Sequence, residues 1–269
     1  MKIILSRKGF DSSMGGQASP ILPDGTLLSF PIPSNDKMTY SAINWNGKSF
    51  LEIITELNPR TVLNNSSSCH LDPDIYEQVI SRNPNWIPAF GQTGASLTEL
   101  RKNNVSKGDI FLFFGWFKET EYNNGYIRYK PNSRDLHVIY GYMQIGEIIE
   151  RYEDIPKWLQ CHPHSNIDNY RSAWNKNLNA IYLPTNKLSI APELSGCGTF
   201  KFNKKIVLTK DGYGRSRWEF LKSMKGVPIS HNPNGWKDEY FQSAARGQEF
   251  VIDGEPCVID WVKSLFNNI

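Results

Sequence analysis

Apolar residues occur along the chain in short bursts, separated by polar stretches rich in glycine and proline. Ile3–Leu5 reads as a buried strand that runs into a polar, glycine-bearing loop over 6–16. Asp24-Gly25 lies between the apolar pairs Ile21-Leu22 and Leu27-Leu28, a strong hairpin signal. Residues 34–48 are polar and read as irregular. Apolar residues at 50, 53, 54 and 57 have helical spacing, and Pro59 marks the stop. Asp72-Pro73 then predicts a helix start, with Asp72 as cap and Ile75, Val79 and Ile80 as the apolar face. Ser96 and Glu99 have capping-box spacing before a short helix ending at Asn103.

The middle third reads as β. Lys107-Gly108-Asp109 is a turn, and Ile110–Phe114 is a continuous apolar run, hence a strand buried on both faces. Leu136–Tyr142 and Met143–Ile149 are further strands. Beyond a polar stretch over 150–178 and a loop-rich link to Gly198, the pattern predicts a strand over Phe202–Leu208. Helices are predicted at Trp218–Met224, 238–246 and 258–266. No internal repeat appears, which argues against a solenoid or propeller. The expected architecture is one α+β domain over 1–269, with a curved antiparallel, barrel-like sheet and peripheral short helices.

Composition narrows the class. The 20 glycines and 16 prolines in 269 residues exclude a coiled coil or an all-helical bundle. The net charge of +3 is small, but residues 201–225 carry eight basic side chains against two acidic ones, a local patch suited to an anion. The cysteines at 69, 161, 197 and 257 form no C-x-x-C pair, excluding a zinc ribbon or thioredoxin motif. The opening apolar run is too short for a signal peptide, and no stretch could cross a bilayer. A reducing cytoplasm, free thiols and no membrane partner are expected.

Several segments can carry chemistry. Arg7 and Lys8 directly follow a buried strand, with Gly9, Gly15 and Gly16 nearby. Arg offers phosphate a fork and Lys a point charge. Asp11 can bind a metal, accept a hydroxyl proton or simply pair with Arg7. His70 and Asp72 alternate on an extended segment and so point the same way, as an acid/base pair or shared metal ligands. Helix capping is the alternative for Asp72. His162 and His164 form an H-x-H pair that can join His70 and Asp72 around one cation, or stand as exposed turn residues. The stretch Gly91–Ser96 precedes a helix, so Ser96 can meet an anion and Gln92 a base edge. Trp116 can stack on a base, although such a run of rings is more often a two-sided core strand. Arg215 and Arg246, beside glycines, are further anion candidates.

The block Ser6–Asp11 with Gly15-Gly16 and the Pro-Asp-Gly hairpin resembles the nucleotide-modification-associated domain family of the third type. His70–Asp74, Gly91–Ser96, Gly108-Asp109 with Phe113–Phe117, and Gly247–Phe250 continue the likeness over nearly the whole chain. The resemblance implies prokaryotic or phage settings of nucleotide or DNA-base modification and virus–host conflict, and admits a protein partner from the same defence operon. It supplies no reaction. Residues 105–150 also resemble the core of PUA-like barrels, which sets an expectation of fold only.

Two functions compete. One is an enzyme for nucleotidyl or other group transfer, with Arg7 and Lys8 on phosphate, Asp11, His70 and Asp72 as catalytic groups, and a magnesium or manganese ion on Asp11 and Asp72 or on His162 and His164. The other is a non-enzymatic sensor of a nucleotide or modified base, in which Trp116 stacks and Gln92 reads an edge.

Overall fold

The structure, a computed structural model, describes residues 1–244 and 247–267. Among the described residues nine strands form one sheet: β1 (Lys2–Arg7), β2 (Ser19–Ile21), β3 (Phe90–Thr93), β4 (Ile110–Asn123), β5 (Tyr126–Tyr129), β6 (Leu136–Ile149), β7 (Asn179–Pro184), β8 (Cys197–Thr199) and β9 (Glu249–Asp253). The main path runs β9-β1-β4-β6-β7-β3, while β2 and β5 pair with β4 and β8 pairs with β6. The sheet curls into a half-barrel, and α1 (Phe50–Leu57), α2 (Gly94–Lys102), α3 (Ile167–Asn175) and α4 (Pro256–Phe266) complete an α+β fold.

Strand β4 is the axis of the sheet. It pairs parallel with β1 and β2 and antiparallel with β5 and β6. Its Phe111, Phe113 and Phe114 are wholly buried. Phe111 and Phe113 pack with Phe90 of β3 at 4.8 and 5.1 Å between ring centroids. Phe114 turns the other way, 5.0 Å from Trp218 and 6.1 Å from Phe250. A run without polar alternation is therefore apolar because both faces are covered.

The two strand readings over 136–149 are one strand, β6, which bends instead of breaking. Its register with β7 shifts between Ile145 and Glu147. At Gly146 a Cβ would stand 2.6 Å from the Pro184 carbonyl oxygen, so only glycine permits this approach.

Helix α1 forms as its spacing predicts, closed by a reciprocal cap in which Ser49 and Glu52 exchange hydrogen bonds. Other helical readings fail. After Pro73 the chain stays extended, Asp74 bridging to Ala89, and only Glu77–Val79 makes a 3₁₀ turn. Tertiary pairing outweighs the local helix signal there. Helix α2 begins at Gly94, so Ser96 lies inside its first turn and caps nothing. Residues Phe202–Leu208 form a 3₁₀ turn at Lys204–Ile206 instead of a strand. Arg217–Trp218 pairs with Phe241–Gln242, replacing the start of one predicted helix and the middle of another. Burial of Trp218 and Phe241 fixes that ribbon.

Asp109 ties the turn before β4 to the start of β1. It accepts the Lys2 and Ser106 amides at 2.6 and 2.8 Å, and only 4% of the residue is exposed. Asp109→Ala would leave two amides without acceptors, and a loss of about 1–3 kcal/mol is expected by chemical denaturation, partly recovered in Asp109→Asn.

Candidate functional site

One cavity of about 690 Å³ gathers residues from distant parts of the chain. The end of β1 brings Arg7 and Lys8, β3 brings Gln92, and the segment after the short strand Cys69–His70 brings His70 and Asp72. The loop at 34–36 contributes Asp36, and a 3₁₀ turn over Pro163–Ser165 contributes His164. Asn169 and Tyr170 of α3 complete this side.

The polar core of the cavity is an imidazole pair. His70 Nε2 lies 3.2 Å from His164 Nε2. The other nitrogen of each ring is committed. His70 Nδ1 meets Asp36 Oδ2 at 2.7 Å, and a carboxylate can only accept, so Nδ1 carries the proton. His164 Nδ1 meets Asn179 Oδ1 at 2.6 Å, while Asn179 Nδ2 donates to the His164 carbonyl at 3.0 Å. That second bond fixes the amide orientation, so His164 also holds its proton on Nδ1. In the neutral rings, both Nε2 lone pairs therefore face each other.

Asp72 sits beside them, and one oxygen from it, His70 and His164 fall within 4.8 Å of one another. Its Oδ1 accepts the Gly91 amide at 2.6 Å and lies 3.2 Å from His162 Nε2, at ion-pair distance. His162 Nδ1 accepts the His164 amide, so Nε2 bears its proton. Burial pushes the Asp72 carboxyl up, but His162, His164 and His70 outweigh it and leave it at about 2. Asp36 is likewise held below the usual range: burial opposes, and bonds from His70, Ser34 and Asn169 prevail. Burial lowers His164 to about 3 against the pull of Asp72, so the ring is neutral near pH 7.

A second network is buried deeper. Glu249 Oε1 accepts from Ser6 at 2.9 Å, Lys8 at 3.1 Å and Gln92 at 2.5 Å, and Glu249 is fully buried. The Lys8 ammonium also lies 4.5 Å from the Phe90 ring centre. Lys8 is thereby neutralised, and Gln92 spends its amide on the protein. Arg7 is placed differently. Ala244 O takes one guanidinium bond at 2.9 Å, and the group lies over Phe114 and Phe250. Burial and the charge of Arg215 pull Arg7 below the usual guanidinium value, opposed by Asp11.

Arg7, Lys8, Asp11, His70, Asp72, Gln92 and His164 thus share one cavity. Asp11 mainly closes its own loop, accepting the Ser13 and Met14 amides at 2.7 Å each. His162 stands behind Asp72, and Asp72 caps no helix. Ser96 donates to Gln248 at 3.1 Å. Trp116 and Arg215 are not among the lining residues. They stack at 4.0 Å, Trp116 bonds Asp135, and Arg215 reaches Ser12. Arg246 lies outside the described residues. Asp36, Asn179 and Tyr170 carry no local motif and emerge only from the fold; Glu249 lies in the Gly247–Phe250 block, but only the fold reveals its role. Gly91 has a packing reason: a Cβ would stand 2.1 Å from the His164 ring.

Fold and site define an α+β protein with a polar cavity lined by imidazoles and carboxylates beside the end of β1. The family described as nucleotide modification associated domain 3 matches residues 2–253, and the chain belongs to that family. No curated protein and no solved structure matches the chain. No described helix is long and apolar enough to cross a membrane.

Gly91→Ala should displace His164 and lower stability by about 1–3 kcal/mol, read by chemical denaturation. The neutral, buried His164 also sets a pH dependence. Between the ordinary histidine value and about 3 the unfolded chain binds the extra proton, so stability falls as pH drops through that window. Thermal melts from pH 7 to 4 should show the decline, and His164→Gln should flatten it.

Proposed function

We propose that the cavity is the active centre of an enzyme for nucleotidyl or other group transfer on a nucleotide or nucleobase. The observation that carries this reading is the coexistence in one cavity of the Arg7 guanidinium and the ordered His70–Asp72–His164 group. Arg7 presents a fork suited to phosphate, held in place by two rings and a carbonyl. The imidazoles and Asp72 supply groups that move protons or hold a cation at the reacting atoms. Recognition alone needs no such set of oriented titratable groups. A volume of about 690 Å³ is ample for a nucleoside with its phosphates. Family membership supports a nucleotide as ligand.

Lys8 is the weaker phosphate candidate of the two, because Glu249 already takes its charge. The sensor reading loses support on one point: its stacking platform, Trp116, is covered by Arg215 and stands off the cavity lining. A place in a prokaryotic DNA-modification or phage-conflict system, with a partner from the same operon, is consistent with this chemistry.

Calorimetry with nucleoside mono- and triphosphates and short DNA, beside chromatography of the products, tests the proposal. Arg7→Ala should weaken nucleotide binding about tenfold or more, with partial recovery in Arg7→Lys. His70→Ala should abolish turnover while ligand still binds. Wild-type protein that converts no nucleotide, free or polymeric, would overturn the enzyme reading.

A further inference from the structure

We propose that His70, Asp72 and His164 hold one divalent first-row transition-metal ion at the cavity wall. The two Nε2 lone pairs face each other. Two neutral imidazoles with both protons on Nδ1 have no hydrogen bond to share across 3.2 Å. A cation placed between them would take both lone pairs. Two nitrogens bound to one ion at about 2.1 Å each, at tetrahedral or octahedral angles, stand roughly 3.0–3.4 Å apart. The observed separation falls in that range.

The surroundings are those of a ligand set. Each imidazole donates its remote N–H to an acceptor: Asp36 for His70, Asn179 for His164. Such partners fix the tautomer and aim the ring at a metal. They are themselves held, Asp36 by Ser34 and Asn169 at 2.8 Å each, Asn179 by the His164 carbonyl. Asp72 follows the same plan. Gly91 N–H and His162 both address Oδ1, which leaves Oδ2 for the ion. Tyr170 stacks on His164 at 4.7 Å and restrains its ring.

Donor type selects the metal. Two imidazoles and one carboxylate suit zinc, iron(II), cobalt(II) or manganese(II), whereas magnesium prefers oxygen donors alone. The magnesium expected from sequence is therefore the poorer fit, and Asp11 is not a member of the group. Three protein ligands leave at least one coordination position open, and all three residues line the cavity. An ion in such a setting meets substrate or water, unlike the closed four-ligand sites that only staple a fold. The inference deepens the reading of the cavity as a nucleotide enzyme, yet its geometry stands independently.

The rival positive charge is a shared proton, and the experiment separates the two. The chain is stripped with a chelator, then titrated with Zn²⁺ and Co²⁺ alone, with stoichiometry from elemental analysis and spectra from the cobalt form. One equivalent per chain is expected, with visible cobalt bands free of thiolate charge transfer. His70→Ala should lower affinity at least 100-fold, and Asp36→Asn, which leaves the ligands in place, about 10- to 100-fold. Cys161→Ser, at an exposed thiol beside His162, should change nothing. Failure of the folded wild-type chain to take up metal would overturn the proposal. So would affinity unchanged in His70→Ala, or a ¹⁵N signal of a protonated Nε2 assigned to His70 or His164 that persists with excess Zn²⁺. Metal uptake with no nucleotide binding would refute the nucleotide reading and leave the ion site standing. Nucleotide turnover with no metal uptake would do the reverse.

Discussion

Full burial of both faces of β4 is the constraint on which the rest of the molecule depends. A strand with Phe111 and Phe113 on one side and Phe114 on the other needs a layer of protein over each. Phe90 and Tyr182 cover one face, and Trp218 and Phe250 the other. Those rings come from β3, β7, the Arg217–Trp218 ribbon and β9, so the demand of one strand recruits elements from both ends of the chain. The same demand places the end of β1 against Phe114 in a parallel pair. Arg7 and Lys8 are thereby held where β3 and β9 also end, and the cavity forms between them.

Apolar packing also carries the histidine turn. A smaller cluster of Ala89, Ile149, Leu159, Trp174, Ile181 and Leu183 anchors residues 155–175 to the outer strands. Trp174 Nε1 donates to the His164 carbonyl at 3.1 Å. That carbonyl also receives Asn179, whose other amide end orients the His164 ring. Packing thus sets the backbone and hydrogen bonds set the rings. Buried polar groups cost free energy unless they are satisfied, and here each imidazole nitrogen away from the cavity has a partner or a carboxylate beside it.

The legible part of the site is that written in adjacent residues. His70 and Asp72 alternate on an extended segment, and they do point into one cavity. The H-x-H pair joins them as its spacing suggested, but split: His164 reaches the cavity and His162 braces Asp72. Arg7 and Lys8 at the end of a buried strand were visible for the same local reason. The failures are equally physical. Asp72 carries a strong cap signal, yet the Gly91 amide and His162 capture its carboxylate, and Asp74 bridges to Ala89. Trp116 carries the composition of a stacking platform, yet Arg215 covers it.

Chain pattern by itself determined the class of fold, the doubly buried strand, the Phe50–Leu57 helix and the residue types able to hold phosphate or a cation. These follow from periodicity and side-chain chemistry, which are local and survive any arrangement of the rest. Only the tertiary structure decided that Glu249 takes the charge of Lys8 and that Asp36 and Asn179 fix two imidazole tautomers. It alone decided that Gly91 clears space for His164. Those choices are made between residues 15 to 241 positions apart. No spacing rule reaches that far, because the distances between such residues are set by the packing of the sheet.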